Sequence, residues 1–170
     1  MGDSFKLIKP EDITDNTFKL IGNDWMLITA GNVEKYNTMT ASWGGLGILW
    51  GKKVCFIFIR PQRYTYEFVE SAKTFTLSFF DDSYRSALNY CGTKSGRDVD
   101  KAKETGITPL EDAPGMVFFK EARLYMECRK IYFQDINPAN FIDMGIDKNY
   151  ANKDYHRMYI GEIGNCYLRD

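Results

Sequence analysis

Three stretches of the chain carry side chains suited to a flat, phosphorylated ligand. In Tyr36-Asn37-Thr38-Met39-Thr40-Ala41-Ser42-Trp43-Gly44-Gly45, small hydroxyl residues alternate along a predicted strand and then run into glycines. Small side chains let the backbone approach a planar ring, and its N–H and C=O groups, with the Thr and Ser hydroxyls, can bond the ring's polar edge. An ordinary Thr-rich strand followed by a Gly turn has the same pattern. In Arg60-Pro61-Gln62-Arg63-Tyr64-Thr65 a predicted strand gives way to a helix. Helix starts bind anions, and Arg beside a hydroxyl completes a phosphate site; solvated arginines at a helix start would look alike. The third stretch is Cys91-Gly92-Thr93-Lys94-Ser95-Gly96-Arg97-Asp98-Val99-Asp100-Lys101. Its amides and its cations Lys94, Arg97 and Lys101 can surround a phosphate. It is not a P-loop, because the Gly-Lys-Ser/Thr order is absent, and a charged surface loop has the same composition. Thr65 and Lys101 read as exposed side chains that contribute little to the fold.

His156 is the only histidine. That excludes multi-histidine metal sites and leaves one imidazole able to change charge near neutral pH. It lies in Tyr155-His156-Arg157-Met158-Tyr159-Ile160-Gly161-Glu162, where a structural role in a strand is the alternative to catalysis. Cys55, Cys91, Cys128 and Cys166 are dispersed, with no close pair, and read as single thiols in a reducing cytoplasm. Hydride or electron chemistry on such a chain requires a bound cofactor.

The elements that must position these residues are mostly strands. Residues 25–29, 54–59 and 74–80 are rich in β-branched and aromatic types between turn residues. Over 122–131, Ala122, Leu124, Met126 and Cys128 alternate with Arg123, Tyr125, Glu127 and Arg129, which predicts a strand with one buried face. A last strand is predicted over 155–163. Pro61 suits the first turn of a helix with Tyr64, Phe68 and Ala72 on its inner face. Asp81 or Asp82 can cap a second helix stopped by Gly92, and a third runs from Asp98 to Gly106. Residues 147–154 read as a mobile polar surface loop. Six or so short strands with two or three brief helices predict a mainly β fold, an antiparallel barrel with helical decorations.

The 170 residues, 44% apolar and 15% aromatic, predict a single domain over 1–170. A net charge of −1, with Lys and Arg scattered, argues against a nucleic-acid partner. The longest apolar run, 54–59, is too short to cross a bilayer. The start Met1-Gly2-Asp3-Ser4-Phe5-Lys6 has no apolar run, and Lys6 stands where a myristoylation signal wants Ser or Thr. The expectation is a cytoplasmic protein without a membrane partner.

In order along the chain, Asn37 to Trp43, Arg60 to Thr65, Ser95-Gly96-Arg97-Asp98-Val99-Asp100-Lys101, and His156 followed by Gly161-Glu162 form a set. This set resembles the flavin reductase-like FMN-binding split-barrel family, its flavoredoxin-type members above all. The resemblance covers roughly residues 24–167. It implies a six-stranded antiparallel Greek-key split barrel, a homodimer, and FMN near the subunit boundary. By that likeness Thr40, Ala41 and Ser42 line the isoalloxazine, within a cofactor-binding stretch that also holds Asn37, Thr38, Met39 and Trp43. Arg60, Arg63, Tyr64, Thr65, Ser95, Gly96 and Lys101 serve the ribityl and phosphate end, and His156 lies near the nicotinamide or the flavin. The implied activity takes electrons from NAD(P)H, a transient donor, through FMN to an unidentified acceptor. The alternative is a flavoredoxin-like electron carrier with no nicotinamide site. Reductase partners of two-component monooxygenases often carry Ser where Trp43 stands and Asn where Ser78 stands, so the chain looks nearer to flavoredoxin. Trp43 reads as a core residue, a dimer contact or a ring beside the flavin, with packing favoured.

Overall fold

A computed structural model describes residues 5–169. The stretch Met1 to Ser4, read above for export and lipid signals, lies outside them. Among the described residues ten strands form, all pairings being antiparallel: β1 (Phe5–Ile8), β2 (Met26–Asn32), β3 (Lys35–Ala41), β4 (Gly44–Leu49), β5 (Lys52–Ile59), β6 (Thr74–Phe79), β7 (Pro109–Glu111), β8 (Val117–Phe119), β9 (Leu124–Asp135) and β10 (Arg157–Arg169). The helices are α1 (Thr17–Lys19), α2 (Tyr64–Ser71), α3 (Arg85–Thr93) and α4 (Lys101–Thr105).

The main sheet runs β3-β2-β6-β9-β10-β5-β4, with β1 pairing the end of β10. β3 and β4 are the two ends of this path, yet only Ser42 and Trp43 separate them in sequence. Such a link spans about 10 Å at most, so the sheet must curl until its end strands meet. The result is a split barrel whose seam is Ser42-Trp43. After the β4–β5 hairpin the chain crosses through α2 to β6, which pairs with β2, giving Greek-key order.

The main sheet therefore has eight strands instead of six. β4, Gly-Gly-Leu-Gly-Ile-Leu, has little strand propensity of its own. It is held by the turn at Trp50 and Gly51, both at positive φ, which folds it onto β5. β1 is four residues recruited by β10, and β7–β8 form a separate hairpin.

Strand alternation builds the core. Met26, Ile28 and Ala30, Cys55, Ile57 and Ile59, Phe75, Leu77 and Phe79, and Leu124, Met126 and Cys128 all point into the barrel. Gly161 lets β10 cross this interior, because a Cβ there would stand 2.5 Å from Phe75 Cζ. Outside the barrel, Leu27 on the other face of β2 packs under Leu88 and Cys91 of α3 and Ala102 of α4. β9 is buried on both faces over its first five residues, whereas one buried face was expected. Tyr125 is stacked against Phe118 at 4.0 Å and Tyr167 at 4.6 Å, which covers the outer face.

Helix boundaries differ in detail. Pro61 lies in a turn before the N-cap Arg63; α2 buries Thr65 and Val69 most fully, while Phe68 and Ala72 of the expected face pack half-buried against the core. Gly92 lies within α3, which ends at the cap Lys94. Asp100, not Asp98, caps α4 by accepting from the Lys103 amide, and Gly106 closes it as expected. No helix among the described residues is long and apolar enough to cross a membrane.

Candidate functional site

The three stretches converge at the seam. Met39, Thr40, Ala41, Ser42, Trp43, Arg60, Arg63 and His156, with Phe58, line a trough of about 210 Å³. Arg63, Tyr64, Thr65, Ser95, Gly96 and Lys101, with Gln62, Thr93 and Lys94, line a notch of about 190 Å³. Arg63 belongs to both, so the two form one bent cleft within the ~300–1,000 Å³ range of cofactor sites. Asn37 and Thr38 line neither. They border a broad groove of about 940 Å³ beside β3 and α4, into which the notch opens at Tyr64, Gly96 and Lys101.

Strand alternation assigns the β3 side chains. Met39 and Ala41 face the barrel core. Thr38 and Thr40 face the helical layer, where their hydroxyls are already engaged. Thr38 Oγ1 meets Thr29 Oγ1 at 2.8 Å, and Thr40 Oγ1 donates to the Leu88 carbonyl of α3. In this arrangement the Thr40 hydroxyl proton is committed to protein, and only its lone pairs are left for a ligand. What Thr40 offers the trough is backbone and methyl surface. The Ser42 hydroxyl, at the trough, makes no hydrogen bond among the described residues. Trp43 is 48% exposed, which corrects the favoured packing role, and its ring lies 5.2 Å from that of His156.

At the notch, Asn37 Nδ2 donates to Thr65 Oγ1 at 2.7 Å, tying β3 to the first turn of α2. Gly96 lies against this pair; a Cβ there would stand 1.9 Å from Asn37 Oδ1. α2 has no side-chain cap, so the amides of Tyr64 and Thr65 are open to an anion, while that of Tyr66 donates to the Arg63 carbonyl. Thr65 and Lys101, expected to be exposed, are both buried. Lys101 Nζ donates to the carbonyls of Thr38 at 2.7 Å and Cys91 at 2.8 Å, joining β3 to α3. Burial, helped by the nearby Arg63 charge, pushes its pKa down to about 8. An ammonium has three N–H donors, so one remains for the notch.

Arg63 Nη1 donates to the Gly92 carbonyl at 2.7 Å, while Nη2 is buried without a partner. Burial, then the neighbouring Arg60, lowers its pKa from the usual guanidinium value. An unpaired buried guanidinium donor is costly, and an anion or carbonyl in the cleft would satisfy it. Arg60 is engaged elsewhere: Nη1 pairs with Asp154 at 2.6 Å, Nη2 donates to the Asn149 carbonyl at 2.8 Å, and the guanidinium lies 5.2 Å over the Tyr150 ring. Its pairing holds the Asp154 carboxyl below the usual range. Arg97 is bound to Glu67 and stacked over Tyr64.

His156 immediately precedes β10 and is buried. Its Nδ1 meets the Tyr150 hydroxyl at 2.9 Å. Burial, then Arg60, pushes its pKa down to about 4, against the opposing pull of Asp154. The imidazole is therefore neutral at physiological pH: the one side chain whose ordinary pKa lies near there is shifted away from it by burial. The segment 147–154, expected to be a mobile surface loop, carries buried Tyr150 together with Asn149 and Asp154, which fix His156 and Arg60. These residues and Phe58 were missed. An aromatic residue inside a polar loop was the signal for Tyr150, and the outward position of Phe58 in the β5 alternation was the signal for that ring. The four cysteines are buried and free, with Cys55 and Cys128 sulfurs 3.5 Å apart in the barrel, away from the cleft. Among the described residues no cluster of His, Cys, Asp and Glu is suited to a metal ion.

The fold has counterparts among known proteins. The family model described as "Flavin reductase like domain" matches residues 18–170. No curated protein sequence matches the chain. Among solved structures, an FMN-binding domain of a flavin reductases-like enzyme from Shewanella baltica OS155 is 15% identical with a TM-score of 0.69, over 99% of this chain and 78% of that one. Flavoredoxin from Methanosarcina acetivorans is 20% identical with a TM-score of 0.66, over 85% of this chain and 68% of that one. Flavoredoxin of Desulfovibrio vulgaris (Miyazaki F) is 22% identical with a TM-score of 0.65, over the same shares. At these identities the likeness establishes the fold.

Proposed function

Because this chain belongs to the flavin reductase-like domain family, we propose that it binds FMN in the bent cleft and passes electrons from NAD(P)H to a separate acceptor. The observation that carries this reading is Arg63, whose buried, unpartnered Nη2 stands where the trough meets the notch. A ligand with a planar ring at one end and an anion at the other suits that placement. The residues fit FMN: Ser42, Trp43, Phe58 and His156 would hold the ring, with backbone from Thr40 to Ser42 available to its polar edge. The start of α2, Ser95, Gly96 and the third N–H of Lys101 would hold the phosphate.

When bound, FMN supplies a carrier that accepts a hydride from a nicotinamide and releases electrons onward. The chain's own task would be to hold the ring at the seam and keep it accessible to the donor. Trp43, half-exposed, borders that opening. The protein works as a homodimer, with the apolar edge around Ile48 and Trp50 of the β4–β5 hairpin as the covered surface; both side chains are exposed in the single chain. Its location is cytoplasmic.

The test is anaerobic mixing of the FMN-loaded protein with NADH or NADPH, followed by the visible spectrum. Rapid bleaching supports a reductase. Bleaching by dithionite alone assigns the protein to the carriers that exchange electrons only with other proteins, and failure to take up FMN removes the reading.

A further inference from the structure

Tyr150 and His156 form a buried pair whose proton arrangement is fixed by what surrounds it. The Tyr150 side chain is 3% exposed and His156 8%. The Tyr150 hydroxyl makes one hydrogen bond among the described residues, to His156 Nδ1 at 2.9 Å. If Nδ1 carried the imidazole proton, the hydroxyl would only accept, and its own proton would be buried without an acceptor at a cost of about 1–3 kcal/mol. If the hydroxyl donates instead, both atoms are satisfied and the imidazole proton resides on Nε2. The Tyr150 ring cannot easily swing away. Arg60 lies over it, the Tyr150 amide donates to the Asp147 carbonyl at 2.9 Å, and Phe141 and Tyr155 flank the ring at 6.1 and 4.8 Å.

We propose that Tyr150 is a positioning residue that locks His156 in the Nε2–H tautomer, so that the trough presents one permanent neutral hydrogen-bond donor beside Trp43. Such a donor recognises an acceptor atom, a carbonyl oxygen or an imine-type ring nitrogen, on the ligand in the trough. A group of this kind orients a ligand and stabilises negative charge developing on the acceptor without transferring a proton itself. The identity of that ligand as flavin or nicotinamide rests on the function proposed above; the tautomer does not.

Because the chain has one histidine, nitrogen-15 labelling of histidine gives a single imidazole pair in the NMR spectrum of the apoprotein. At pH 7.5 the wild type is expected to show a protonated, pyrrole-type Nε2 and a bare, pyridine-type Nδ1. Tyr150→Phe keeps the ring but removes the hydroxyl, and is expected to shift both nitrogens toward tautomer-averaged positions. A protonated Nδ1 in the wild type would overturn the proposal, and that measurement stands even if the variant folds poorly. An unchanged Nε2–H tautomer in a folded Tyr150→Phe protein would overturn it equally. Failure of the apoprotein to bind FMN in a separate titration would count against the proposed function and leave the tautomer result intact.

Discussion

Arg63 and Gly92 are joined by a 2.7 Å hydrogen bond from Nη1 to the carbonyl of the last turn of α3, which leaves the other Nη buried with no partner. One guanidinium is thus anchored at one end and unsatisfied at the other, at the point where the trough and the notch meet. Replacing it with an unbranched apolar chain should separate folding from binding. For Arg63→Met, FMN affinity is expected to fall by about 10- to 100-fold, the effect of losing one charge-assisted contact. The melting temperature of the apoprotein should move by only a few degrees, because a desolvated cation is lost along with its bond. Calorimetric melting beside a fluorescence titration checks both.

Gly96 and Asn37 make a second, independent check on the notch. A methyl group on residue 96 would overlap Asn37 Oδ1, and Asn37 is itself bound to Thr65. Gly96→Ala should therefore break the Asn37–Thr65 bond and cost about 1–3 kcal/mol in urea denaturation. In the double variant Gly96→Ala with Asn37→Ala, the clash is gone, and the two costs should be clearly less than additive. Strict additivity would mean that the close approach is not what Gly96 serves.

Lys101 is 5% exposed and bonds two backbone carbonyls from different elements. Lys101→Met should destabilise the apoprotein by about 2 kcal/mol or more, since both carbonyls lose a charged donor. Chemical denaturation without any ligand measures this. An unchanged midpoint would show that the ammonium leaves its carbonyls in solution.

Stability should carry the signature of a buried neutral histidine. The unfolded chain binds a proton on His156 near its ordinary pKa of 6.5, and the folded protein only near 4. The folded-state value is depressed, so this group's contribution is fully present above pH 6.5, falls as pH drops from 6.5 to about 4, and is constant below. Linkage makes the loss up to about 3 kcal/mol. His156→Gln should remove that part of the slope. Urea denaturation at pH 7 and pH 4.5 should show the wild type losing about 2–3 kcal/mol more than the variant.

Much of the site was legible because its parts are local signals. The β-branched runs gave β2, β5 and β6, Gly106 marked the end of α4, and the three polar stretches do converge. What the sequence concealed depends on tertiary contacts. Alternation puts Thr38 and Thr40 on one face and Met39 and Ala41 on the other, but only the packing of α3 against β3 decides that the hydroxyls meet protein. Lys101 looked like a phosphate cation on a surface loop. Its burial follows from α4 folding back beside β3, which no local pattern announces. Asp100 displaced Asp98 as the cap by two residues, within the usual blur of helix ends. Tyr150 sits in a stretch whose Asp, Lys and Asn content reads as loop, and its link to His156 spans six residues of irregular chain.

The proposed FMN site is one cleft, with the planar ring at the seam and the phosphate at Arg63, Gly96 and the start of α2. Parallel fluorescence titrations of the apoprotein with FMN and riboflavin test this most directly, because the two ligands differ only by the phosphate. FMN is expected to bind at least about tenfold more tightly, from one or more charge-assisted contacts of about 1.5–3 kcal/mol, and the difference should shrink in Arg63→Met. Equal affinity for the two flavins would contradict the account.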